Sequence, residues 1–567
     1  MFETTRRWLA AHPNWALALV TVAVFAPFLA KPFNIDDPLF IWGARQIYLH
    51  PGDPYGFDAN WAQTVFPMWN VMDNPPLACY YLALSAGFFG WSEIGLHLAF
   101  LLPALAVVLG TRRLAGRFCR HPSLAALATL FTPVFMVSGM TVMCDMLLLA
   151  FWVWAVIFWV EGMERDDFGF LALSGLLIAL AALTKYYGVS LLPLLLAYGL
   201  FRLRRPGRWM IYLLIPLAAL YAYQVATIAL YGHNLLLRAA QFTSFFTALE
   251  KQNAGYSPAA TGFVALAFTG GCVAVATFFA PLLWRRRTLL FGGGTMISLT
   301  ALAVLGDVLG TGFGESARAP SLLLNVQVIL WAAAGLSVLA LAVADVAQRR
   351  DASAWLLFLW VVGTFSFTAF FNWTVNGRSI LPMAPAVGIL IARRLEKRFP
   401  AGDKAWFRGA VICLAASAAL SLLVTHADVE LARAVRESAQ ETCAKLHSPG
   451  RNIWFQDHWG FQFYMEEQGA LAIDLANPTL KPGDKFALPV NNTHLRSPKL
   501  DISAPSEVIT VSKSRFLTTM DGSVGAGFYA SLDGPLPFAF GAVPPKRVAI
   551  FNFNGYLSEP ATSAPKN

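Results

Sequence analysis

The sequence predicts an α-helical polytopic membrane protein, with about thirteen transmembrane helices and a small C-terminal α/β or mainly β extracytoplasmic domain. Three observations carry that prediction. Hydrophobic residues make up 57% of the 567, and charged residues only 13%, against about 25% charged in a soluble domain. Apolar stretches recur at close to the ~20 residues a spanning helix needs. Basic residues fall in short clusters between those stretches, so the net charge of +9 orients helices rather than marking a nucleic-acid surface. A disordered chain, a fibrous protein and a cytosolic globular enzyme are all excluded. The six cysteines are scattered without a CxxC pair, which argues against a disulfide scaffold or a cysteine metal site.

The first span runs from Trp15 to Ala30, behind Arg6 and Arg7, which set the N-terminus in the cytoplasm. Residues 31–92 form a polar, aromatic, proline-rich external loop. Further spans are expected at 94–111, 123–140, 145–161, 168–184, 188–201, 209–230, 259–283, 289–308, 321–345, 353–371, 379–392 and 407–425. If each span changes side, Arg112-Arg113, Glu164-Arg165, Arg202 to Arg208, Arg285 to Arg287, Arg349-Arg350 and Arg393 to Lys404 all fall inside. An odd count leaves the C-terminus outside. The expected division is therefore 1–425 as the membrane domain and 426–567 as an external domain. In the latter, Phe486 to Val490 and Val508 to Val511 read as strands.

The unusual polar residues gather on the expected outer face. Asp36 and Asp37 follow the first span; such acids serve as helix caps, as a base for an acceptor, or as cation ligands beside phosphate. Asp73-Asn74-Pro75-Pro76 precedes Cys79-Tyr80-Tyr81, where the prolines start a helix near Leu77. Asp73 and Asn74 there either initiate the helix or hydrogen-bond a headgroup. Asp145 lies between apolar neighbours at the outer end of its span, a costly position unless paired or facing a polar cavity. Lys185 faces outward, against the positive-inside rule, and either pairs with Asp145, binds lipid phosphate or snorkels. Arg378, in the short turn after Asn372, offers directed donors for phosphate. His233 and His458 are weaker candidates. There is no GxxxxGK[ST] loop, so ATP hydrolysis is not indicated.

Taken in order, Asp36-Asp37, Asn74-Pro75-Pro76 with Tyr80-Tyr81, Asp145-Met146, Leu183-Thr184-Lys185 and the Arg378 to Pro385 segment resemble the integral-membrane GT-C glycosyltransferases of bacteria. More narrowly, they resemble the protein O-mannosyltransferase and aminoarabinose (lipid A) transferase superfamily. The resemblance covers about residues 10–400. It implies a GT-C fold and a polyprenyl-phosphate-linked sugar donor. The acceptor is a membrane lipid such as lipid A in lipopolysaccharide biosynthesis, another glycolipid, a polysaccharide or a protein. The transfer is inverting and metal-independent or only weakly metal-linked, with Asp36 and Asp37 leaving room for a divalent cation. On this resemblance Asp36 or Asp37 is the base, Lys185 and Arg378 contact the donor phosphate, and Asp145 orients the acceptor or the lysine. Asp73, Asn74, Tyr80 and Tyr81 complete the substrate contacts. Asn74 stands where relatives often carry histidine or lysine, which removes a headgroup contact and disfavours aminoarabinose transfer. The expected location is the bacterial inner membrane, with the C-terminal domain in the periplasm. A multi-span transporter or flippase is the alternative, and would show related halves or broken helices near the midplane.

Overall fold

The computed structural model describes residues 11–61, 63–241, 258–306, 322–399, 405–447, 452–493, 495, 500–502 and 504–556. Arg6, Arg7 and Lys404 of the expected basic clusters lie outside the described residues. Among those residues, seven helices are long and apolar enough to cross a membrane, or eight if one bent pair counts as a span. Three shorter apolar helices accompany them. The multi-span helical plan with a β-rich C-terminal region is as expected, and the seven or eight long spans among the described residues do not confirm the count of thirteen.

Helix α1, Pro13–Phe25, opens on a proline, whose missing N–H is no loss in a first turn. The expected external loop then folds rather than trailing along the surface. It contributes α2, Asp37–Leu49, and a hairpin of β1, Asp58–Asn60, with β2, Val65–Pro67. Helix α3, Leu77–Phe89, packs against α2. Helix α4, Glu93–Phe118, is capped by the Ser92 hydroxyl, which accepts from the Gly95 N–H at 3.1 Å.

The stretch expected to span at 123–140 is two short helices, α5, Pro122–Leu130, and α6, Pro133–Ser138. Pro133 cannot donate to a continuing helix, and Thr132 caps a new one instead. Helices α7, Asp145–Arg165, and α8, Phe168–Thr184, form a hairpin through left-handed Asp166 and the Asp167 cap. Then come α9, Leu191–Leu203, and α10, Leu214–Tyr231. The span expected at 259–283 is bent by 84° between α11, Pro258–Cys272, and α12, Val275–Leu283. Next are α13, Arg286–Gly306, and α14, Leu322–Arg349. Helices α11 and α14 approach backbone to backbone. A Cβ on Gly270 would lie 1.9 Å from the Trp331 carbonyl oxygen, and one on Gly335 2.0 Å from that of Leu266.

After α15, Ala352–Ser366, the short α16, Gly377–Ile380, leads into α17, Ala384–Arg398. Helix α18, Ala405–Leu446, is 42 residues long, about 63 Å at 1.5 Å per residue and twice the hydrocarbon thickness of ~30 Å. It runs unbroken through the expected division at 425/426, because its excess length carries the chain out of the bundle into the C-terminal region. That region contains β3, Ile453–Phe455, α19, Trp459–Glu466, β4, Leu471–Ala472, β5, Lys485–Pro489, β6, Leu500–Ile502, and β7, Glu507–Val511. Short pairs β8, Leu517–Thr518, β9, Met520–Asp521, β10, Ala526–Gly527, and β11, Ala539–Phe540, precede the long β12, Lys546–Tyr556. The main sheet runs β4-β3-β5-β12-β6, with β7 also on β12. Strand β3 lies parallel to its neighbours, and β12 antiparallel to β5, β6 and β7.

This sheet side of the molecule is stitched to the first loop. The Phe33 N–H donates to Tyr464 Oη at 2.8 Å, Asn60 Nδ2 to the Ile473 carbonyl at 2.9 Å, and Gln462 Nε2 to the Asn60 carbonyl at 2.6 Å.

Candidate functional site

The site is organised by one short segment, Val142 to Asp145, at the entry to α7. The Val142 N–H donates to Asp37 Oδ1 at 2.9 Å. Met143 Sδ lies 3.0 Å from Arg378 Nη1. Asp145 accepts from Lys185 Nζ at 2.7 Å. Three elements far apart in sequence are thereby held against one short segment.

Asp145 occupies the first turn of α7 and Lys185 the C-cap of α8. Both positions suit their charge, since the N-terminal end of a helix favours an anion and the C-terminal end a cation. The Asp145 side chain is 2% exposed and that of Lys185 22%, so the cation retains contact with the solvent side. Arg378 sits in α16, whose start is set by Asn376 Oδ1 accepting from the Ser379 N–H at 2.8 Å. Its Nη1 donates to Asp36 Oδ2 at 2.8 Å.

The adjacent acids are not equivalent. Asp36 precedes α2 without capping it, and its side chain is 25% exposed. Asp37 is fully buried, with Oδ2 accepting from the Asn34 N–H at 3.0 Å and Oδ1 from Val142. Burial pushes the Asp37 carboxyl up to about 6, against the opposing pull of Lys31 and the two backbone donors. A divalent cation would have to displace those donors from Asp37 and Arg378 from Asp36. Among the described residues no group of three or more His, Cys, Asp or Glu side chains is gathered as a metal ion would need.

Two polar atoms in the cluster are buried without a hydrogen-bond partner among the described residues: Asp145 Oδ2 and Arg378 Nε. The two side chains are electrostatic neighbours. An unsatisfied buried acceptor beside an unsatisfied buried donor is costly, and a bound polar group contacting both removes that cost.

The other sequence candidates lie at the start of α3 and do not join this cluster by hydrogen bonds. Tyr80 donates to the Pro51 carbonyl at 2.6 Å and Tyr81 to the Ala99 carbonyl at 2.7 Å, so both hydroxyls brace the loop and α4. The Asn74 carbonyl accepts from Tyr55 at 2.8 Å. Half-buried Asp73 neighbours Arg238 and Tyr186, and burial raises its carboxyl to about 6 despite the arginine. His233 stacks on Trp69 at 4.4 Å, and His458 packs edge-on to Trp459 at 4.0 Å.

Sequence reasoning missed Lys31, Asp428 and Tyr529. Lys31 Nζ donates to Asp428 Oδ2 at 2.6 Å, with side-chain exposures of 1% and 2%. The Tyr529 hydroxyl lies 3.1 Å from each Asp428 oxygen. One signal was available: a lysine after the first span breaks the positive-inside rule just as Lys185 does. Nothing local marks Asp428 or Tyr529, because their partners are distant in sequence.

A family model described as dolichyl-phosphate-mannose-protein mannosyltransferase matches residues 73–228. That stretch contains Asp73, Asn74, Tyr80, Tyr81, Asp145 and Lys185, and leaves out Asp36, Asp37 and Arg378. Among solved structures, ArnT from Cupriavidus metallidurans bound to undecaprenyl phosphate aligns at 16% identity and a TM-score of 0.43, over 85% of this chain and 93% of its own. The oligosaccharyltransferase of Archaeoglobus fulgidus, tethered to an acceptor peptide, aligns at 11% identity and a TM-score of 0.47, over 82% of this chain. The alignment spans 64% of that larger chain. The mycobacterial arabinofuranosyltransferase AftD aligns at 14% identity and a TM-score of 0.37, over 97% of this chain and 41% of its own. No curated protein matches the chain. The resemblance read from Asn74-Pro75-Pro76, Asp145-Met146 and Leu183-Thr184-Lys185 is borne out by the mannosyltransferase family match over residues 73–228.

Proposed function

We propose that the protein transfers a sugar from a polyprenyl-phosphate donor to an envelope acceptor, on the outer face of a bacterial inner membrane. The observation that carries this reading is the pairing of Lys185 with Asp145 and of Arg378 with Asp36 around one short segment, with Asp145 Oδ2 and Arg378 Nε left unpartnered. Two cations beside unpartnered buried polar atoms suit a phosphate monoanion or diester better than a neutral solute. The family match over residues 73–228 supports a lipid-phosphate sugar donor.

In this mechanism Lys185 and Arg378 hold the donor phosphate and stabilise the charge that develops on it as it leaves. Asp36, the more exposed acid, takes the proton of the acceptor hydroxyl or amine. The acceptor atom bonds to the anomeric carbon, the bond from that carbon to the phosphate oxygen breaks, and polyprenyl phosphate departs. Asp37 is a positioning residue that ties α2 to the segment before α7. Asp145 orients Lys185. Residues 1–425 supply this machinery, and residues 426–567 form the external part that docks on it. The acceptor class is lipid A, another glycolipid, a polysaccharide or a protein.

The test is turnover of polyprenyl-phosphate sugars by purified protein, compared with Asp36→Asn, Asp37→Asn and Lys185→Ala. Loss of transfer in Asp36→Asn and Lys185→Ala is expected, and retention in all three variants overturns the mechanism. Among the described residues, the bend between α11 and α12 is a feature that favours a transporter. Solute flux in proteoliposomes without sugar turnover would establish that alternative.

A further inference from the structure

Within the membrane bundle Arg378 is held at one end of its guanidinium. Its ion pair with Asp36 uses one nitrogen, Nη1, and Nε has no partner among the described residues. Both of its hydrogen bonds, to Asp36 Oδ2 and Met143 Sδ, leave from Nη1, so the guanidinium plane can pivot about that nitrogen, and a rotated plane cannot present its donors to phosphate. The proposed reaction adds a second difficulty. When Asp36 takes a proton from the acceptor, its attraction for Arg378 weakens while negative charge builds on the phosphate.

A second restraint comes from the C-terminal region. The Tyr529 ring lies with its centroid 5.9 Å from the Arg378 guanidinium carbon and is 5% exposed. Its hydroxyl is anchored on Asp428, which also accepts from Lys31 Nζ at 2.6 Å and Thr519 Oγ1 at 2.7 Å. The backbone fixes the same juxtaposition. The Gly377 N–H donates to the Phe528 carbonyl at 2.7 Å, and the Ser531 N–H to the Val375 carbonyl at 2.8 Å. Thr374 Oγ1 and Ser531 Oγ lie 3.0 Å apart. Gly377 makes this closeness feasible, since a Cβ there would fall 2.6 Å from the Phe528 ring. Residues 374–378 and 528–531 are therefore zipped together, and Tyr529 has no freedom to leave Arg378.

The geometry points to Tyr529 as a positioning residue for the proposed transfer: its ring holds the Arg378 guanidinium against Asp36, and its hydroxyl ties that hold to the buried Lys31–Asp428 pair. Phosphate binding at Arg378 then depends on the docked C-terminal region. The inference rests on the assignment of Arg378 to the donor phosphate. A hydroxyl donating to a carboxylate enriches the ring in electron density, which strengthens its attraction for a cation. This attraction does not change when Asp36 is protonated, so Arg378 stays placed through the step. Ordering the guanidinium before the ligand arrives lowers the entropy lost on binding.

The experiment measures the Kd of undecaprenyl monophosphate for the full-length protein in nanodiscs, in a double-mutant cycle of Tyr529 with Arg378. Tyr529→Leu, which removes ring and hydroxyl, is expected to weaken binding about tenfold, and Tyr529→Phe about threefold. Arg378→Lys is expected to weaken it about tenfold. In the Arg378→Lys background, either Tyr529 change should add less than about twofold, because its effect passes through the guanidinium. A residue needed only for folding would give the same loss in both backgrounds. Full additivity, or wild-type binding by Tyr529→Leu, overturns the proposal. If Tyr529→Leu does not fold, the Tyr529→Phe cycle decides by the same criterion. Wild-type binding by Arg378→Ala is a separate outcome: it removes Arg378 from the donor site, and with it the assignment on which this inference rests.

Discussion

Helix α7 holds a carboxylate near an arginine towards each end, Asp145 and Glu161, roughly 24 Å apart along the helix, and the two are built differently. At the far end, Arg113 grips Glu161 with two bonds, Nε to Oε1 at 2.9 Å and Nη2 to Oε2 at 2.8 Å. Its guanidinium also lies against the Trp154 and Phe158 rings, at 5.4 and 5.6 Å. That fork is closed: both Glu161 oxygens and two guanidinium nitrogens are used. At the sheet end, Arg378 meets Asp36 through one nitrogen, Lys185 meets Asp145 through one oxygen, and Nε and Oδ2 are left over. Identical chemistry thus serves two purposes. A closed fork fixes helices; an open pair stabilises the fold less and keeps donors and acceptors for a ligand.

The largest expected effect breaks the open end at its base. Asp36→Asn should lower sugar transfer about a thousandfold, within the 10²–10⁴ range of general-base catalysis, measured as turnover per folded protein. Loss of the phosphate contact comes next. Lys185→Ala should cost about a hundredfold in turnover per folded protein and also lower the thermal midpoint, since it leaves the buried Asp145 carboxylate without its cation. Near-native turnover would make the Lys185–Asp145 pair a clasp like Arg113–Glu161.

The pH dependence is the third test. Asp37 must be ionised to accept both backbone N–H groups, and its carboxyl is raised to about 6. Transfer should therefore rise with pH through about 6 and be roughly tenfold slower at pH 5 than on the plateau. A raised carboxyl binds its proton more tightly folded than unfolded. Its contribution to stability is thus full below the unfolded value and lost as pH rises through about 6. The acid loss of activity is then not unfolding driven by this group. The limb should persist in Asp73→Asn, which removes the other carboxyl raised to about 6.

The smallest effect on transfer is expected at the closed fork. Glu161→Gln should leave turnover within about twofold and lower stability by about 1–2 kcal/mol, read from thermal unfolding. Equal damage to transfer at both ends would erase the distinction between them.

Much of the site was legible because charge is scarce in an apolar chain. Asp145 and Lys185 stood out as misplaced charges and Arg378 as a directed donor for phosphate in a short outer turn, and the structure brings them together with Asp36 and Asp37. The resemblance also implied Tyr80 and Tyr81 as substrate contacts, yet their hydroxyls brace backbone carbonyls. A tyrosine at an interface looks alike whether it faces a ligand or a neighbouring loop. The span expected at 123–140 failed at Pro133, where hydrophobicity outweighed the missing N–H in the sequence reading.

The sequence by itself determined the membrane-spanning class, the β-rich C-terminal region and which charged residues were out of place. Each follows from local composition and from the cost of placing charge in hydrocarbon. Only the tertiary structure decided how those charges are shared. Which of the adjacent acids is buried depends on the Val142 N–H, 105 residues away. Whether Arg378 is held depends on Tyr529 and Asp428, whose contacts form when α18 carries the C-terminal region back over the first loop. Hydrogen bonds and ion pairs of such sequence separation leave no local periodicity to read, because their partners become neighbours only once the chain has packed.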